Sequence, residues 1–148
     1  MSNCIFCKII KGEIPSAKIW ENKDFIAILD AFPNTKGMTL VMPKKHYPSD
    51  AFEMPNSVYQ KFMQAGKEVA LLLNKKLKVQ RTALVMEGMG IDHVHLKLYP
   101  LHGLEKKFKK MEVKTNIFFK NYPGYTTTKM GPAADPKELE KLAQKIRE

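Results

Sequence analysis

The sequence predicts one α+β domain with a five-stranded, largely antiparallel sheet arranged as a meander. Five short apolar segments are bounded by turn-forming residues, which is typical of strands: residues 18–21, 25–30, 38–42, 81–87 and 90–100. One long helix, residues 56–73, separates the third strand from two consecutive strands. At 148 residues, the chain is long enough to bury roughly 70% of its unfolded surface in a single core.

The predicted helices have recognisable boundaries and packing faces. Residues 4–12 read as a short helix that Asn3 caps and that ends at a glycine. In the long helix, apolar residues recur at intervals of three and four and predict a stripe that packs on the sheet: Val58, Phe62, Ala65, Val69 and Leu72. A last helix begins at Pro136, because Asp135 is a good N-cap and proline suits the first helical position. Residues 113–120 are a further candidate strand.

Composition favours small anionic ligands. The chain has 25 lysines and arginines against 15 aspartates and glutamates, a formal net charge of +10. Only Arg81 and Arg147 are arginines, and aromatic residues are not interleaved with the basic runs, so we expect a small anion as partner rather than a nucleic acid polymer. No apolar run is long enough to span a membrane. Because the start lacks a secretory pattern and the two cysteines suit a reducing compartment, we expect a cytoplasmic protein.

The last predicted strand, residues 90–100, has an unusual polar face. Because side chains alternate along a strand, apolar residues fall on one side and basic residues on the other: Val94, Leu96 and Leu98 against His93, His95 and Lys97. Two imidazoles and an ammonium in register suit an anion, and a neutral imidazole is a nucleophile or a metal ligand at pH 7. The alternative is an ordinary solvent-facing strand with two incidental histidines.

Four other polar residues each have more than one interpretation. Cys4 and Cys7 lie one helical turn apart, so they could supply two sulfurs to zinc, form a redox pair, or simply be buried apolar residues. Asp30 ends a strand before a loop, where a carboxylate could bind a ribose diol or cap a turn. His46 follows a strand end and two lysines; it could be a ligand, although local sequence favours simple exposure.

Four stretches, in order along the chain, together resemble the histidine triad (HIT) superfamily of nucleotide hydrolases and transferases. They are CIFCKIIKGEIP at residues 4–15, FIAILD at 25–30, GMTLVMPKKH at 37–46 and HVHL at 93–96. The resemblance implies a HIT-like fold, with residues 1–105 as a nucleotide-binding domain. Beyond residue 100 it matches little, and we expect residues 106–148 to form a C-terminal extension packed on the same domain. The resemblance also implies a homodimer that joins through the long helix and a sheet edge.

The resemblance assigns the chemistry to the basic face of the last strand. His95 would attack the α-phosphorus of a purine nucleotide and form a nucleotidyl-histidine, which water or another acceptor then resolves. His93 and Lys97 would belong to the same catalytic site. The other implied nucleotide contacts are an acid for the ribose, five apolar residues of a base pocket and one glycine: Asp30, Phe6, Ile9, Ile14, Ile28, Leu29 and Gly90. For the five apolar residues, a role in the core is an equally good interpretation.

The resemblance also implies a metal. Branches of the family with a two-cysteine opening bind zinc, and the corresponding ligands here are Cys4, Cys7, His46 and His93. Two thiolates and two imidazoles complete a tetrahedral set, which is structural and leaves no position for an activated water. Such a zinc would tie the first helix to the last strand and would orient His95.

Two departures from the family pattern leave the reaction open. Lys97 stands where the third histidine of the motif is expected, and an ammonium can contact phosphate but cannot shuttle a proton at neutral pH. Residues 86–90 lack the asparagine, glutamine and serine of many relatives, for which His102 or residues 122–125 are candidate replacements. Three functions therefore follow: a phosphoramidate or dinucleoside polyphosphate hydrolase, a nucleotidyltransferase or phosphorylase, and a nucleotide-binding protein with little catalysis.

Overall fold

The computed structural model describes residues 3–109 and 133–148. The candidate strand at residues 113–120 and the candidate replacement loop at residues 122–125 lie outside the described residues. Within the two described ranges, no helix is both long and apolar enough to cross a membrane.

Among the described residues, five antiparallel strands form one sheet, as predicted from the sequence. They are β1 (Lys18–Glu21), β2 (Phe25–Leu29), β3 (Thr39–Pro43), β4 (Thr82–Val85) and β5 (Leu96–Pro100). Their order is β1-β2-β3-β5-β4, so the predicted meander is interrupted after β3. The reason is that the connection after β3 contains the long helix, which carries the chain across the sheet to an edge instead of into a hairpin. β5 then returns between β3 and β4 and pairs with both.

In the part of the chain that the structure describes, three α-helices flank the sheet: α1 (Ile5–Ile10), α2 (Asn56–Leu77) and α3 (Pro136–Arg147). The predicted Asn3 cap of α1 was wrong, because the extended residue before the helix is Cys4 and no side chain caps it. α2 continues past its predicted end and stops where Lys78 adopts a left-handed conformation, with φ 55°. α3 begins as predicted, and the Asp135 carboxylate accepts a 2.7 Å hydrogen bond from the Lys137 amide.

The two faces of the sheet carry different apolar clusters. One face packs against α2 and α3, and its larger cluster includes Leu29, Leu96 and Leu98. The other face carries a smaller cluster shared with α1: Phe6, Ile26, Ile28, Leu40 and Met42. Gly66 of α2 lies very close to β5, since a β-carbon there would be 2.5 Å from Leu96 Cδ1. α2 therefore packs against one face of β5, and the opposite face is the one available to the histidines.

β5 is shorter than the predicted strand. It begins at Leu96, so both histidines of the motif precede it. On its β3 side the ladder stops because β3 ends at Pro43, which has no amide hydrogen to continue it. The Val94 amide donates instead to the Tyr47 oxygen at 3.1 Å, in the chain that follows β3. The two histidines therefore lie at the end of the sheet rather than within it.

Candidate functional site

His95 is buried just before β5 with one ring nitrogen unprotonated. It is only 5% exposed, and its Nδ1–H donates a 2.7 Å hydrogen bond to the backbone oxygen of His93. A carbonyl oxygen can only accept, so the proton is on Nδ1 and the lone pair is on Nε2. Burial lowers the pKa of His95 more than this hydrogen bond raises it, and the Lys97 ammonium lowers it further. A neutral imidazole of this kind can act as a nucleophile at pH 7.

Charged side chains from three parts of the chain act on the His95 ring. Lys97 lies two residues further along the chain, in β5, and is partly buried. The carboxylates of Asp30, which follows β2, and Glu87, which follows β4, both act to raise the pKa of His95. Asp30 is 9% exposed, and its Oδ1 accepts a 2.8 Å hydrogen bond from the Phe32 amide. Asp30 therefore does cap a turn, and its charge acts on the histidine.

Phe6 of α1 packs against both histidines of the motif. Its ring centroid lies 5.8 Å from that of His93 and 5.1 Å from that of His95. Both pairs are nearly perpendicular, which is a favourable edge-to-face geometry. Because Phe6 is itself buried, it restricts the orientation of both imidazoles. Its observed contact is thus with the histidine rings and with the smaller apolar cluster.

The thiols of Cys4 and Cys7 and the rings of His46 and His93 converge on one point. Their potential ligand atoms all lie within 4.8 Å of one another. Nδ1 of His93 lies 3.5 Å from Cys4 Sγ and 3.6 Å from Cys7 Sγ. Nδ1 of His46 lies 3.5 Å from Cys7 Sγ, so His46 is not simply an exposed residue. Together, the four side chains form a candidate metal centre.

This donor set fits a tetrahedral zinc ion. Bonds of about 2.3 Å to sulfur and about 2.0–2.1 Å to nitrogen separate tetrahedral ligand atoms by roughly 3.3–3.8 Å, and the sulfur–nitrogen distances lie in that range. His93 Nε2–H donates a 2.9 Å hydrogen bond to the Pro43 oxygen, so Nδ1 keeps its lone pair toward the thiols. Burial, with the neighbouring Cys4, raises the pKa of the Cys7 thiol, and a divalent cation would offset that penalty.

The other predicted nucleotide contacts are divided between the two faces. Ile28 belongs to the smaller cluster, on the face of the sheet that carries Phe6, and Ile9 packs against that cluster. Ile14, in the loop that joins α1 to β1, is partly buried. Gly90, in the loop that precedes the two histidines, is exposed. Leu29 requires a correction, because it packs in the larger cluster on the opposite face. Neighbouring residues of a strand point to opposite sides, so Ile28 and Leu29 cannot both line one pocket wall.

Two polar residues of this region were not predicted from the sequence. Glu87 acts electrostatically on both His95 and Tyr99, and Tyr99 shares the face of β5 that carries Lys97. Strand alternation is the signal that could have found Tyr99, two residues beyond Lys97. His102, a predicted replacement, lies past the far end of β5, where its Nε2–H donates a 2.9 Å hydrogen bond to a backbone oxygen. It is therefore not placed beside His95.

The comparisons with known proteins agree with this fold. The HIT domain family model matches residues 11–103. The chain is 41% identical over 103 residues to the HIT-like protein MJ0866 of Methanocaldococcus jannaschii, an alignment covering 66% of this chain and 78% of that protein. It is 38% identical over 103 residues to adenosine 5'-monophosphoramidase HNT1 of Saccharomyces cerevisiae, covering 66% and 61%.

A solved structure extends the likeness to most of the chain. A hypothetical histidine triad nucleotide-binding protein, ST2152 of Sulfolobus tokodaii, has a TM-score of 0.75 and 25% sequence identity. The superposition covers 97% of this chain and 89% of that one. The α+β fold and the family match together are decisive, and the chain belongs to the HIT domain family.

Proposed function

We propose that the protein is a nucleotide hydrolase in which His95 is the nucleophile. The observation that carries the proposal is the hydrogen bond from His95 Nδ1 to the His93 oxygen, which leaves Nε2 unprotonated in a buried site. In the first step, Nε2 bonds to the α-phosphorus and the bond from phosphorus to the leaving group breaks. The leaving group keeps the electron pair and takes a proton from solvent.

The second step regenerates the histidine. Water attacks the same phosphorus, the phosphorus–nitrogen bond to His95 breaks, and one proton of the water returns to solvent. The products are a nucleoside monophosphate and a neutral His95. Dividing one displacement into two steps of this kind lowers the barrier of each.

The neighbouring side chains have distinct roles in the proposal. Lys97 is a fixed positive charge for the phosphoryl oxygens, which gain charge in both transition states. Asp30 binds the ribose, and Phe6 holds the His95 ring in place. Ile9, Ile14 and Ile28 form walls of the base pocket and Gly90 lies on the phosphate side; Leu29 is left out of the pocket because it faces the other core.

Adenosine 5'-phosphoramidate is the first substrate to test. The reason is the similarity to HNT1, which is named as an adenosine 5'-monophosphoramidase. Dinucleoside polyphosphates are the second group, since the same attack on the α-phosphorus would release a nucleoside polyphosphate from them. The cation Lys97 suits both, because each substrate carries its negative charge beside the scissile bond.

We further propose that zinc binds to Cys4, Cys7, His46 and His93. The support is the donor set itself, with sulfur–nitrogen distances of 3.5 and 3.6 Å and the His93 lone pair directed at the thiols. Four protein ligands leave zinc no open position, so its contribution there would be structural. His93 then belongs to the metal centre and acts on catalysis through the position of its own carbonyl, which holds His95.

A transferase or phosphorylase is the second candidate, because of Lys97. A permanent cation beside the nucleotidyl-histidine would attract an anionic acceptor such as inorganic phosphate. Hydrolysis of adenosine 5'-phosphoramidate releases AMP, whereas transfer to phosphate releases ADP. Product analysis with and without phosphate separates the two reactions.

The oligomeric state and the C-terminal extension are also proposals. We propose a homodimer through α2 and the edge strand β4, where Leu71 is 57% exposed and Leu84 is 38% exposed. We also propose that the C-terminal extension packs on the same domain; the support comes from its described residues 133–148, where Ala143 and Ile146 of α3 are buried in the larger cluster. Light scattering tests the dimer, and a monomeric mass would contradict it.

The hydrolase proposal is tested by steady-state release of AMP from adenosine 5'-phosphoramidate. His95→Ala is compared with His102→Ala, which removes an imidazole at the far end of β5. We expect the first variant to be inactive and the second to retain the wild-type rate. Equal rates in wild type and His95→Ala would overturn the proposal.

A further inference from the structure

Cys4 and Cys7 are the only cysteines of the chain, and their arrangement allows a second chemistry besides metal binding. Cys4 is the extended residue before α1, and Cys7 is the third residue of that helix. Side chains at these two positions meet across the first helical turn, as they do in a capping box. Both thiols are free and both residues are partly exposed, so the pair is accessible to small oxidants.

The two sulfur atoms converge instead of pointing apart. Cys4 Sγ and Cys7 Sγ lie 3.5 and 3.6 Å from the same atom, Nδ1 of His93, and within 4.8 Å of each other. A disulfide bond is about 2.0 Å long, so its formation needs a rotation of at least one side chain. Cys4 can make this rotation without breaking a cap, because its side chain makes no capping hydrogen bond to the helix.

A zinc ion and a disulfide would connect different parts of the chain. The proposed zinc joins three segments: α1 through the two cysteines, the segment after β3 through His46, and the segment before β5 through His93. A Cys4–Cys7 disulfide closes only the first turn of α1 and joins it to neither histidine. It also removes two of the four donors, and two imidazoles alone do not complete a structural zinc site. The two states therefore exclude each other, and only the zinc state cross-links the three segments.

We propose that Cys4 and Cys7 form a peroxide-sensitive modification site, at which oxidation to a disulfide releases zinc and disconnects α1 from His46 and His93. The inference rests on the proposed metal centre, and it does not depend on which reaction His95 performs. Phe6 lies between the two cysteines, and its ring centroid is 5.1 Å from that of His95. A change in the cysteine pair therefore also reaches the proposed nucleophile.

The oxidation balances with a peroxide as the oxidant. Cysteines that bind zinc are thiolates, which is the nucleophilic form. One thiolate attacks a peroxide oxygen, the O–O bond breaks, hydroxide leaves and the sulfur becomes a sulfenic acid. The second thiolate attacks that sulfur, the S–S bond forms and a second hydroxide leaves. Two protons from solvent convert both hydroxides to water, so the sulfurs lose two electrons and the peroxide gains two.

The modification is expected to be reversible. The disulfide would close a very short loop, because only Ile5 and Phe6 separate the two cysteines. Cross-links across short loops gain little from chain entropy, and exposed disulfides are readily attacked by other thiols. A thiol reductant should therefore reopen the bond and restore the four metal ligands.

The test treats the full-length protein, purified with its zinc, with hydrogen peroxide. A metallochromic indicator measures released zinc, and a colorimetric assay counts free thiols. We expect two thiols to be lost for each zinc released, and the tryptic peptide 1–8 to become lighter by two hydrogen atoms. Tm should fall to that of the chelator-treated protein, and kcat by about tenfold or more. Dithiothreitol with added zinc should restore the thiols, the metal, Tm and kcat.

A second oxidant controls for the nine methionines of the chain. Diamide oxidises thiols and leaves methionine intact, so it should reproduce the effects of peroxide, in wild type and in His102→Ala alike. An effect of peroxide that diamide does not reproduce would overturn the proposal. So would zinc release with both thiols intact, a disulfide between two chains, or a Cys4–Cys7 disulfide in protein that keeps its zinc.

The same experiment separates this inference from the proposed hydrolase. A purified protein without zinc, which also takes up none when zinc is added, overturns both the metal centre and the modification site. Release of AMP from adenosine 5'-phosphoramidate by that protein still decides the role of His95. Conversely, a protein that hydrolyses nothing but exchanges its zinc for a disulfide supports the modification site without the hydrolase.

Discussion

His93 and His95 lie two residues apart, are both buried and contact the same phenylalanine, yet they present opposite ring nitrogens. His93 donates from Nε2 to the Pro43 oxygen and directs Nδ1 toward two thiols. His95 donates from Nδ1 to the His93 oxygen and keeps the lone pair on Nε2. A backbone carbonyl thus selects the tautomer of each ring. Neighbouring residues of one motif are thereby suited to metal binding in one case and to nucleophilic attack in the other.

The largest effect on activity is expected from replacing His95, and it distinguishes the role of His95 from that of His93. His95→Ala should lower kcat/KM for adenosine 5'-phosphoramidate by about a thousandfold or more, because the covalent route is lost. The metal content of the same variant should equal that of the wild type, since His95 is not among the candidate metal ligands. Retained hydrolysis, or loss of the metal, would break the comparison.

The second-largest effect is expected when one ligand of the candidate metal centre is replaced. Cys7→Ser should lose most of the zinc that we expect at about one ion per chain, and should lower Tm, because binding free energy at a structural site is folding free energy. Its kcat should fall by about 10- to 100-fold through the misplaced His93 carbonyl, less than for His95→Ala. Elemental analysis and calorimetry measure these changes, with His102→Ala as control. A Cys7→Ser protein that keeps its zinc would contradict the assigned ligand set.

The third effect concerns the cation beside His95. Lys97→Ala should lower kcat about 10- to 100-fold, because a fixed charge near the transition-state phosphoryl group is lost. Lys97→His should recover activity relative to wild type as the pH falls below about 6.5, where imidazole becomes cationic. The pH–rate profiles of both variants test this, with Lys23→Ala in the exposed turn between β1 and β2 as control. A flat ratio of Lys97→His to wild type would argue against a charge role.

The smallest effect is expected at the ring shared by both histidines. Phe6→Leu removes edge-to-face contacts with centroid distances of 5.8 and 5.1 Å, while keeping an apolar side chain. We expect a loss of about 1 kcal/mol in unfolding free energy and a few-fold loss in kcat. Denaturant unfolding and steady-state kinetics measure them. A loss of kcat as large as that of Lys97→Ala would show that Phe6 does more than hold the rings.

The sequence was sufficient for the parts of the fold that depend on local pattern. Alternation and turn residues located the five strands, and the Asp135 carboxylate caps α3 as its position before Pro136 indicated. The strand order could not be predicted in this way, because the pairing of β3 with β5 depends on the position at which the chain returns to the sheet after α2. The start of β5 was missed for a similar reason, since it depends on the end of the neighbouring β3 at Pro43.

The candidate site shows the same division between local and long-range information. The spacing of Cys4 and Cys7 suggested a metal pair, but local sequence alone favoured an exposed His46. Only the folded chain brings His46 Nδ1 to 3.5 Å from Cys7 Sγ. Strand alternation puts Tyr99 on the same face of β5 as Lys97, but its burial depends on the packing around β5 and could not be predicted from that pattern. Local pattern therefore indicated the residue types, whereas the set of four partners was predicted only through the resemblance to the HIT family, and the structure brings those four together.

The most direct test of the two tautomers is long-range ¹H–¹⁵N correlation NMR of the histidine side chains. The chain contains only four histidines, so each signal can be assigned by single substitution to alanine. At neutral pH, we expect the proton of His95 on Nδ1 with Nε2 unprotonated, and the proton of His93 on Nε2. A His95 ring protonated on Nε2, or the same tautomer at both residues, would contradict the account.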